Sequence, residues 1–154
     1  MMNFQEPIAL RFNLMDGAKE PEKSMKDDAG FDLFCTEDFT ILPWESYVVG
    51  TGVRVQLPEH TTGMICSRSG LASKDNVFVL NAPGIIDVGY TGELKVILMN
   101  LSKNIFSREK HSKIAQLLVV NLTPVYKFIV SSASFDVNTA LYERQSGGFG
   151  STGN

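Results

Sequence analysis

Apolar and polar residues alternate in short runs along this chain, and no apolar stretch approaches the roughly 20 residues that a membrane-crossing helix needs. Val53-Arg54-Val55-Gln56-Leu57 alternates strictly and stops at Pro58, the pattern of a strand with one buried face. Ile8 to Phe12 and Asp38 to Leu42, the latter ended by Pro43, read as strands too. Leu94 to Met99 and Ile114 to Leu122 are richer in aliphatics and predict deeper strands. Pro and Gly recur about every ten residues, the rhythm of an antiparallel sandwich or barrel. Only Ser69 to Lys74 has the composition for a helical turn or two. No repeat is present, and the class predicted is all-β.

Composition narrows this picture. A chain of 154 residues with 44% hydrophobic and 20% charged positions fits one domain with a real core. The net charge of −3 argues against a basic surface for stable nucleic acid binding. Residues 1–45 carry ten acids and four bases, a solvated acidic surface around Glu20, Glu22, Asp27 and Asp28. Met1 to Glu6 lacks the basic start and apolar stretch of a secretory signal. Cys35 and Cys66 stand far apart, as do His60 and His111, so two free thiols in a reducing cytoplasm are expected and a structural zinc is not. Four of the thirteen glycines fall in the last eight residues, too polar a segment to fold alone. The chain therefore reads as a β domain over residues 1–143 and a flexible glycine-rich tail over 144–154.

Four segments carry candidate chemistry. Gly84-Ile85-Ile86-Asp87-Val88-Gly89-Tyr90 leads through Gly92 to Leu94-Lys95-Val96 and reads as a β-hairpin with Asp87 at the mouth of a partly apolar pocket. There a carboxylate can deprotonate a water, although the commoner fate of such an Asp is to accept turn N–H bonds. Ser67-Arg68-Ser69-Gly70 joins a guanidinium, hydroxyls and a helix start, the parts of an anion site or simply of a helix cap. In Ala29-Gly30-Phe31-Asp32-Leu33, Asp32 sits among apolar residues and needs a partner, an arginine or a metal-bound water. The tail sets Arg144 before Gly147-Gly148-Phe149-Gly150-Ser151-Thr152-Gly153, where amides and hydroxyls suit phosphate and a ring suits a base. No helix follows it, so it is not a P-loop.

Taken together and in this order, these segments, with Ile114-Ala115-Gln116-Leu117, resemble the five motifs of the trimeric dUTPase family. The resemblance implies a jelly-roll β-barrel or sandwich with one short helix, and a homotrimer whose sites are each built from three chains. It implies Mg²⁺-assisted hydrolysis of dUTP to dUMP and pyrophosphate, which limits uracil in DNA and supplies dUMP for dTMP synthesis. By position, Asp87 matches the carboxylate that activates the water attacking the α-phosphorus, and Tyr90 the ring that excludes a 2′-hydroxyl. Asn81, Ile85, Ile86 and Lys95 match the slot that reads uracil. Arg68, Ser69, Gly70 and Gln116 match phosphate contacts, and Asp32 matches the carboxylate near the waters of a Mg²⁺ held mainly by substrate. Arg144 matches a phosphate-binding arginine, Phe149 the ring over uracil, and Gly150, Ser151 and Thr152 the γ-phosphate contacts. Cytoplasm, or a host cell's cytoplasm or nucleus, is the implied compartment.

The chain departs from the family where His111-Ser112-Lys113 replaces Gly-Asp-Arg, where Ser67 replaces a proline or glycine, and where Gln145 replaces a glycine. A related deaminase reading needs a glutamate where Ile97 stands. A non-enzymatic trimeric binding module would be expected to lack Asp87, Arg144 or the tail.

Overall fold

The structure is a computed structural model and describes residues 9–129. Eleven strands and one helix occur among them. In chain order they are β1 (Arg11–Leu14), β2 (Phe31–Phe34), β3 (Phe39–Ile41), β4 (Ser46–Gly50), β5 (Val53–Gln56), β6 (Thr61–Cys66), α1 (Ser69–Asp75), β7 (Val77–Val79), β8 (Gly84–Ile86), β9 (Lys95–Asn100), β10 (Phe106–Arg108) and β11 (Lys113–Asn121). Every strand pairing is antiparallel. A four-stranded sheet runs β2-β11-β6-β8 and a three-stranded sheet runs β4-β9-β7, with the two-stranded ribbons β1-β5 and β10-β3 beside them.

Alternation explains the strands that the sequence made legible. Val53 and Val55 of β5 are buried while Arg54 and Gln56 are exposed. Along β9, Val96, Leu98 and Asn100 turn inward. The expectation of depth holds at Ile114, Ala115 and Leu117 of β11 but fades at Val120 and Leu122, which are exposed. Leu33, Val49, Val53, Val77, Val96, Leu98, Ile114 and Leu117 meet in one core from which water is excluded. Buried Asn100 holds the connection between β3 and β4, its amide donating to the carbonyls of Ile41, Leu42 and Asn104 and its oxygen accepting from Ser102. A buried amide satisfied on both sides fixes the loop it grips.

One expectation is corrected. Gly84–Ile86 and the strand beginning at Lys95 do not form a hairpin: β8 pairs with β6, whereas β9 pairs with β4 and β7 in the other sheet. The segment 87–94 is a connection between two sheets. Residues 1–123 and Pro124–Asn154 form separate units, and Pro124 to Ile129 carry no strand or helix. The expected boundary before Arg144 lies outside the described residues. Among those residues no helix is long and apolar enough to cross a membrane.

Candidate active site

The expected phosphate residues converge. Asp32, Arg68, Ser69, Gly70 and Gln116 line a single polar cleft of about 260 Å³, together with Ser24, Asp28, Ala29 and Gly30. Adjacent strands of one sheet bring them there. Asp32 on β2 lies opposite Gln116 on β11, and Gln116 lies opposite Cys66 at the end of β6, from which Ser67 and Arg68 lead into α1. Gly30 has a steric reason: a Cβ there would stand 2.8 Å from Gln116 Oε1 and 3.2 Å from Leu118 Cδ1. Gln116 Nε2 donates to the Ser67 carbonyl at 3.0 Å, which fixes the plane of its amide.

Arg68 is the N-cap residue of α1, and among the described residues no side chain caps the helix. The simpler reading of this segment, a serine cap with a surface arginine, does not hold. Ser67 Oγ instead accepts from the Val79 N–H at 2.9 Å, and the Arg68 guanidinium is drawn to Asp32, with Nε donating to Oδ1 at 2.9 Å. Asp32 is the better buried of the two, its side chain 13% exposed against 30% for Arg68. Its second oxygen, Oδ2, accepts from Lys113 Nζ at 2.7 Å and from Ser24 Oγ at 3.2 Å. Burial on its own would push the Asp32 carboxyl up, but the Lys113 hydrogen bond and the charges of Arg68 and Lys113 outweigh it and hold the group below the usual carboxylate range. The partner that Asp32 required is thus an arginine and a lysine together.

The sequence did not single out Ser24 or Asp28, nor Lys113 as a partner of Asp32. Ser24 and Asp28 reach the cleft because Glu22 pairs with Asp32 through an isolated antiparallel bridge, which folds the segment before β2 back over it. Asp28 in turn accepts from the Met25 N–H at 2.8 Å, closing a small turn. Cys66 borders the same strand end, and burial pushes its thiol up, the wrong direction for a nucleophile.

The second group of expected residues lies on β8 and the 87–95 connection. Asn81, Ile85, Asp87, Tyr90 and Lys95 are exposed and Ile86 is half-buried, and none of them lines the Arg68 cleft. Tyr90 N donates to the Asp87 carbonyl at 3.1 Å, closing a turn whose third residue, Gly89, has φ 89°. A type II turn needs a positive φ at that place and glycine supplies it without strain. The ring of Tyr90 lies against Gly92, where a Cβ would stand 2.5 Å from its hydroxyl, and that hydroxyl donates to the Glu93 carbonyl at 3.0 Å. The Glu93 side chain accepts from the Gly52 N–H at 2.8 Å, anchoring the connection to the core side. Asp87 precedes the residues that line a partly apolar cleft and is not itself among them. The cleft of about 520 Å³ beside this turn is lined by Val88, Gly89, Tyr90 and Thr91 on one side and by Phe12, Val55 and Leu57 among others on the other. Arg144 and Phe149 to Thr152 lie outside the described residues.

The first group suits a multiply charged oxyanion: a guanidinium, a primary amide, hydroxyls and an uncapped helix start share one cleft. The second offers β8, which among the described residues pairs on its β6 side alone, with the Tyr90 ring bonded to the Glu93 carbonyl beyond it.

Comparison with known proteins agrees. The pattern of the dUTPase family matches residues 16–153. The deoxyuridine 5′-triphosphate nucleotidohydrolase of Clostridioides difficile is 46% identical over 140 residues, covering 91% of this chain and 94% of that protein. That of a Hydrogenobaculum species is 45% identical over 141 residues, with 91% and 94% covered. Among solved structures, a point mutant of the Staphylococcus bacteriophage 80alpha dUTPase with dUpNHpp superposes with TM-score 0.80 at 30% identity, over 95% of this chain and 99% of that one. A mutant dUTPase from phage phi11 of S. aureus, described with a structural Mg(II) ion, gives TM-score 0.73 at 28% identity over 80% and 98%. The chain belongs to the dUTPase family. Its architecture is the jelly-roll β fold of those structures, and its class is that of a hydrolase.

Proposed function

We propose that this chain hydrolyses dUTP to dUMP and pyrophosphate, limiting uracil in DNA and supplying dUMP for dTMP synthesis. The observation that carries this reading is the Arg68 cleft, in which a guanidinium paired to Asp32 through Nε alone shares a small polar space with Ser69, Gly70 and Gln116. The Asp87 carboxylate takes a proton from a water, the water oxygen attacks the α-phosphorus, and the bond to the bridging oxygen breaks to release pyrophosphate. Arg68, Ser69, Gly70 and Gln116 orient the phosphates and meet their charge, with Arg144, Gly150, Ser151 and Thr152 joining from the tail. Tyr90, held against Gly92, leaves no room for a 2′-hydroxyl. The backbone of Ile85 and Ile86 on β8, whose outer edge is unpaired among the described residues, reads the uracil with Asn81 and Lys95, and Phe149 covers it.

Magnesium fits this cleft in one way. Both Asp32 oxygens already accept hydrogen bonds, and no cluster of three metal-ligating side chains occurs among the described residues. Mg²⁺ prefers phosphate oxygens and retains its waters, so Asp32 would face those waters while the substrate holds the ion. When bound, the ion neutralises phosphate charge and polarises the anhydride.

The separation of the two residue groups supports a homotrimer in which the 84–95 segment of one chain completes the cleft of another and residues 144–154 of a third close it. The site would lie in the cytoplasm or, for a virus, in the host cell's cytoplasm or nucleus. Pyrophosphate release from dUTP, dCTP, dTTP and UTP with Mg²⁺ tests the reading, and no release from dUTP, or equal release from UTP, would sink it. Asp87→Asn is expected to abolish turnover while nucleotide still binds, and removal of residues 144–154 to cripple hydrolysis with the β domain intact.

A further inference from the structure

Lys113 stands where the family carries an arginine, and its surroundings are unusual for a surface lysine. The ammonium has three acceptors within reach: Asp32 Oδ2 at 2.7 Å, Ser24 Oγ at 2.9 Å and Glu22 Oε1 at 3.4 Å. An ammonium has three protons, and this one has acceptors inside the protein on three sides, while Lys113 does not line the cleft. It faces Asp32 and not the space where a substrate would sit.

Its place depends on an irregularity of β11. Gln116 pairs with Asp32 and Ala115 with Leu33, but Lys113 pairs with Phe34, so the register shifts between Lys113 and Ala115. In a regular strand, residues three apart point to opposite faces. The extra residue cancels that difference and brings Lys113 to the face that carries Asp32 and Gln116, the re-aiming that bulges beside functional sites perform.

We propose that Lys113 is a positioning residue for the phosphate cleft, acting through Asp32 on Arg68. Arginine and carboxylate favour a bidentate fork, two parallel N–H···O bonds. Here the fork does not form: Arg68 gives Asp32 only Nε, and Nη1 and Nη2 make no hydrogen bond among the described residues. Lys113 holds Oδ2, the oxygen the second prong would take, at 2.7 Å, with Ser24 Oγ sharing that oxygen at 3.2 Å. Both terminal amino groups of Arg68 stay available to a phosphate. Without Lys113, Arg68 closes on both oxygens of Asp32 and the cleft loses a donor.

The proposal rests on the reading of the cleft as a triphosphate site, and one experiment separates the two. Binding of dUpNHpp and the steady-state kinetics of dUTP hydrolysis are measured for the wild type, Lys113→Met, Lys113→Arg, Arg68→Ala and Arg68→Ala/Lys113→Met, each checked for folding by circular dichroism. Lys113→Met is expected to raise the Kd for dUpNHpp and the KM for dUTP about tenfold, one lost hydrogen bond to a charged group, with kcat changed far less. Lys113→Arg restores the wild-type values. In the Arg68→Ala background, Lys113→Met adds less than about twofold, since nothing remains for it to position. The same tenfold loss in both backgrounds makes Lys113 a distant charge and overturns the proposal, as does a Lys113→Met chain that binds like wild type. A wild type that neither binds nor hydrolyses overturns the functional reading and this proposal with it. Should Lys113→Met not fold, Lys113→Gln makes the same comparison.

Discussion

Gly92→Ala tests whether the place of the Tyr90 ring sets the choice of sugar. No positive φ marks Gly92, so the backbone accepts alanine, and the perturbation is steric. The new Cβ would stand 2.5 Å from the Tyr90 hydroxyl, 2.6 Å from Cζ and 3.1 Å from Cε2. Restoring an ordinary contact of 3.4 Å moves the ring by roughly 0.9 Å and strains its bond to the Glu93 carbonyl. Tyr90 is 46% exposed and has room to swing outward. The stability cost is therefore about 1 kcal/mol, at the low end for an overpacked site. A shift near 1 Å at a positioning group costs far more in turnover, between about 10-fold and 100-fold in kcat/KM for dUTP. The preference for dUTP over UTP falls with it, since the displaced ring no longer closes the 2′ position. Pyrophosphate release from both nucleotides measures the two effects together, and urea denaturation measures the stability. Gly92→Ala added to Tyr90→Ala does no further harm, because the clash needs the ring. A Gly92→Ala enzyme with the wild-type rate and the wild-type ratio would refute the reasoning.

Other outcomes follow from neighbouring features. A Cβ at Gly70 meets nothing within 4 Å, so Gly70→Ala raises the melting temperature through helix propensity worth up to about 1 kcal/mol, yet weakens dUpNHpp binding because the methyl enters the cleft. Asn100→Ala takes the side-chain donor from the buried Ile41 carbonyl and loosens the turn before β4, an expected loss of about 1 to 3 kcal/mol in urea denaturation. The Asp32 carboxyl is held low in the folded chain, so its contribution to stability is present above the ordinary carboxylate value of about 3.9 and disappears as pH falls through the lower folded value. Lys113 is raised, chiefly by its hydrogen bond to Asp32, so its share is fully present below the ordinary lysine value of about 10.4 and is lost as pH rises through the higher folded value. Urea midpoints of wild type and Asp32→Asn should differ by a constant amount between about pH 5 and 9 and converge below about pH 4.

Strict alternation made β5 legible, and Pro58 marked where it stops. The runs at Leu94 and Ile114 announced β9 and β11, and Ser69 to Lys74 announced α1 almost to the residue. Strands β3, β7, β8 and β10 have three residues each, too few for a period to declare itself, and only β3 and β8 fell within a predicted run. The hairpin reading of Gly84 to Leu98 failed for a different reason. Two apolar segments around a glycine-bearing turn look alike whether they pair with each other or with strands distant in sequence, and here β6, β4 and β7 offered the better partners. At the cleft, Asp32 announced its need of a partner, an arginine or a metal-bound water, because it stands among Gly30, Phe31 and Leu33. Lys113 escaped notice as a partner because its spacing of three from Gln116 assigns it to the opposite face of a regular strand. Ser24 and Asp28 escaped because a single bridge between Glu22 and Asp32 leaves no periodic trace.

The connection between β8 and β9 joins two sheets and does not turn back on one. In a hairpin the loop length fixes which residues face each other, and a single inserted residue threatens every pair above it. Here β8 takes its register from β6, and β9 takes its register from β4 and β7. Residues can be added to or removed from the tip around Val88-Gly89 with neither sheet re-pairing. Such a change would instead shift Asp87 and Tyr90, which the Gly89 turn and the Tyr90 bond to the Glu93 carbonyl hold in place, so its cost would be read in turnover and not in the pairing of the sheets.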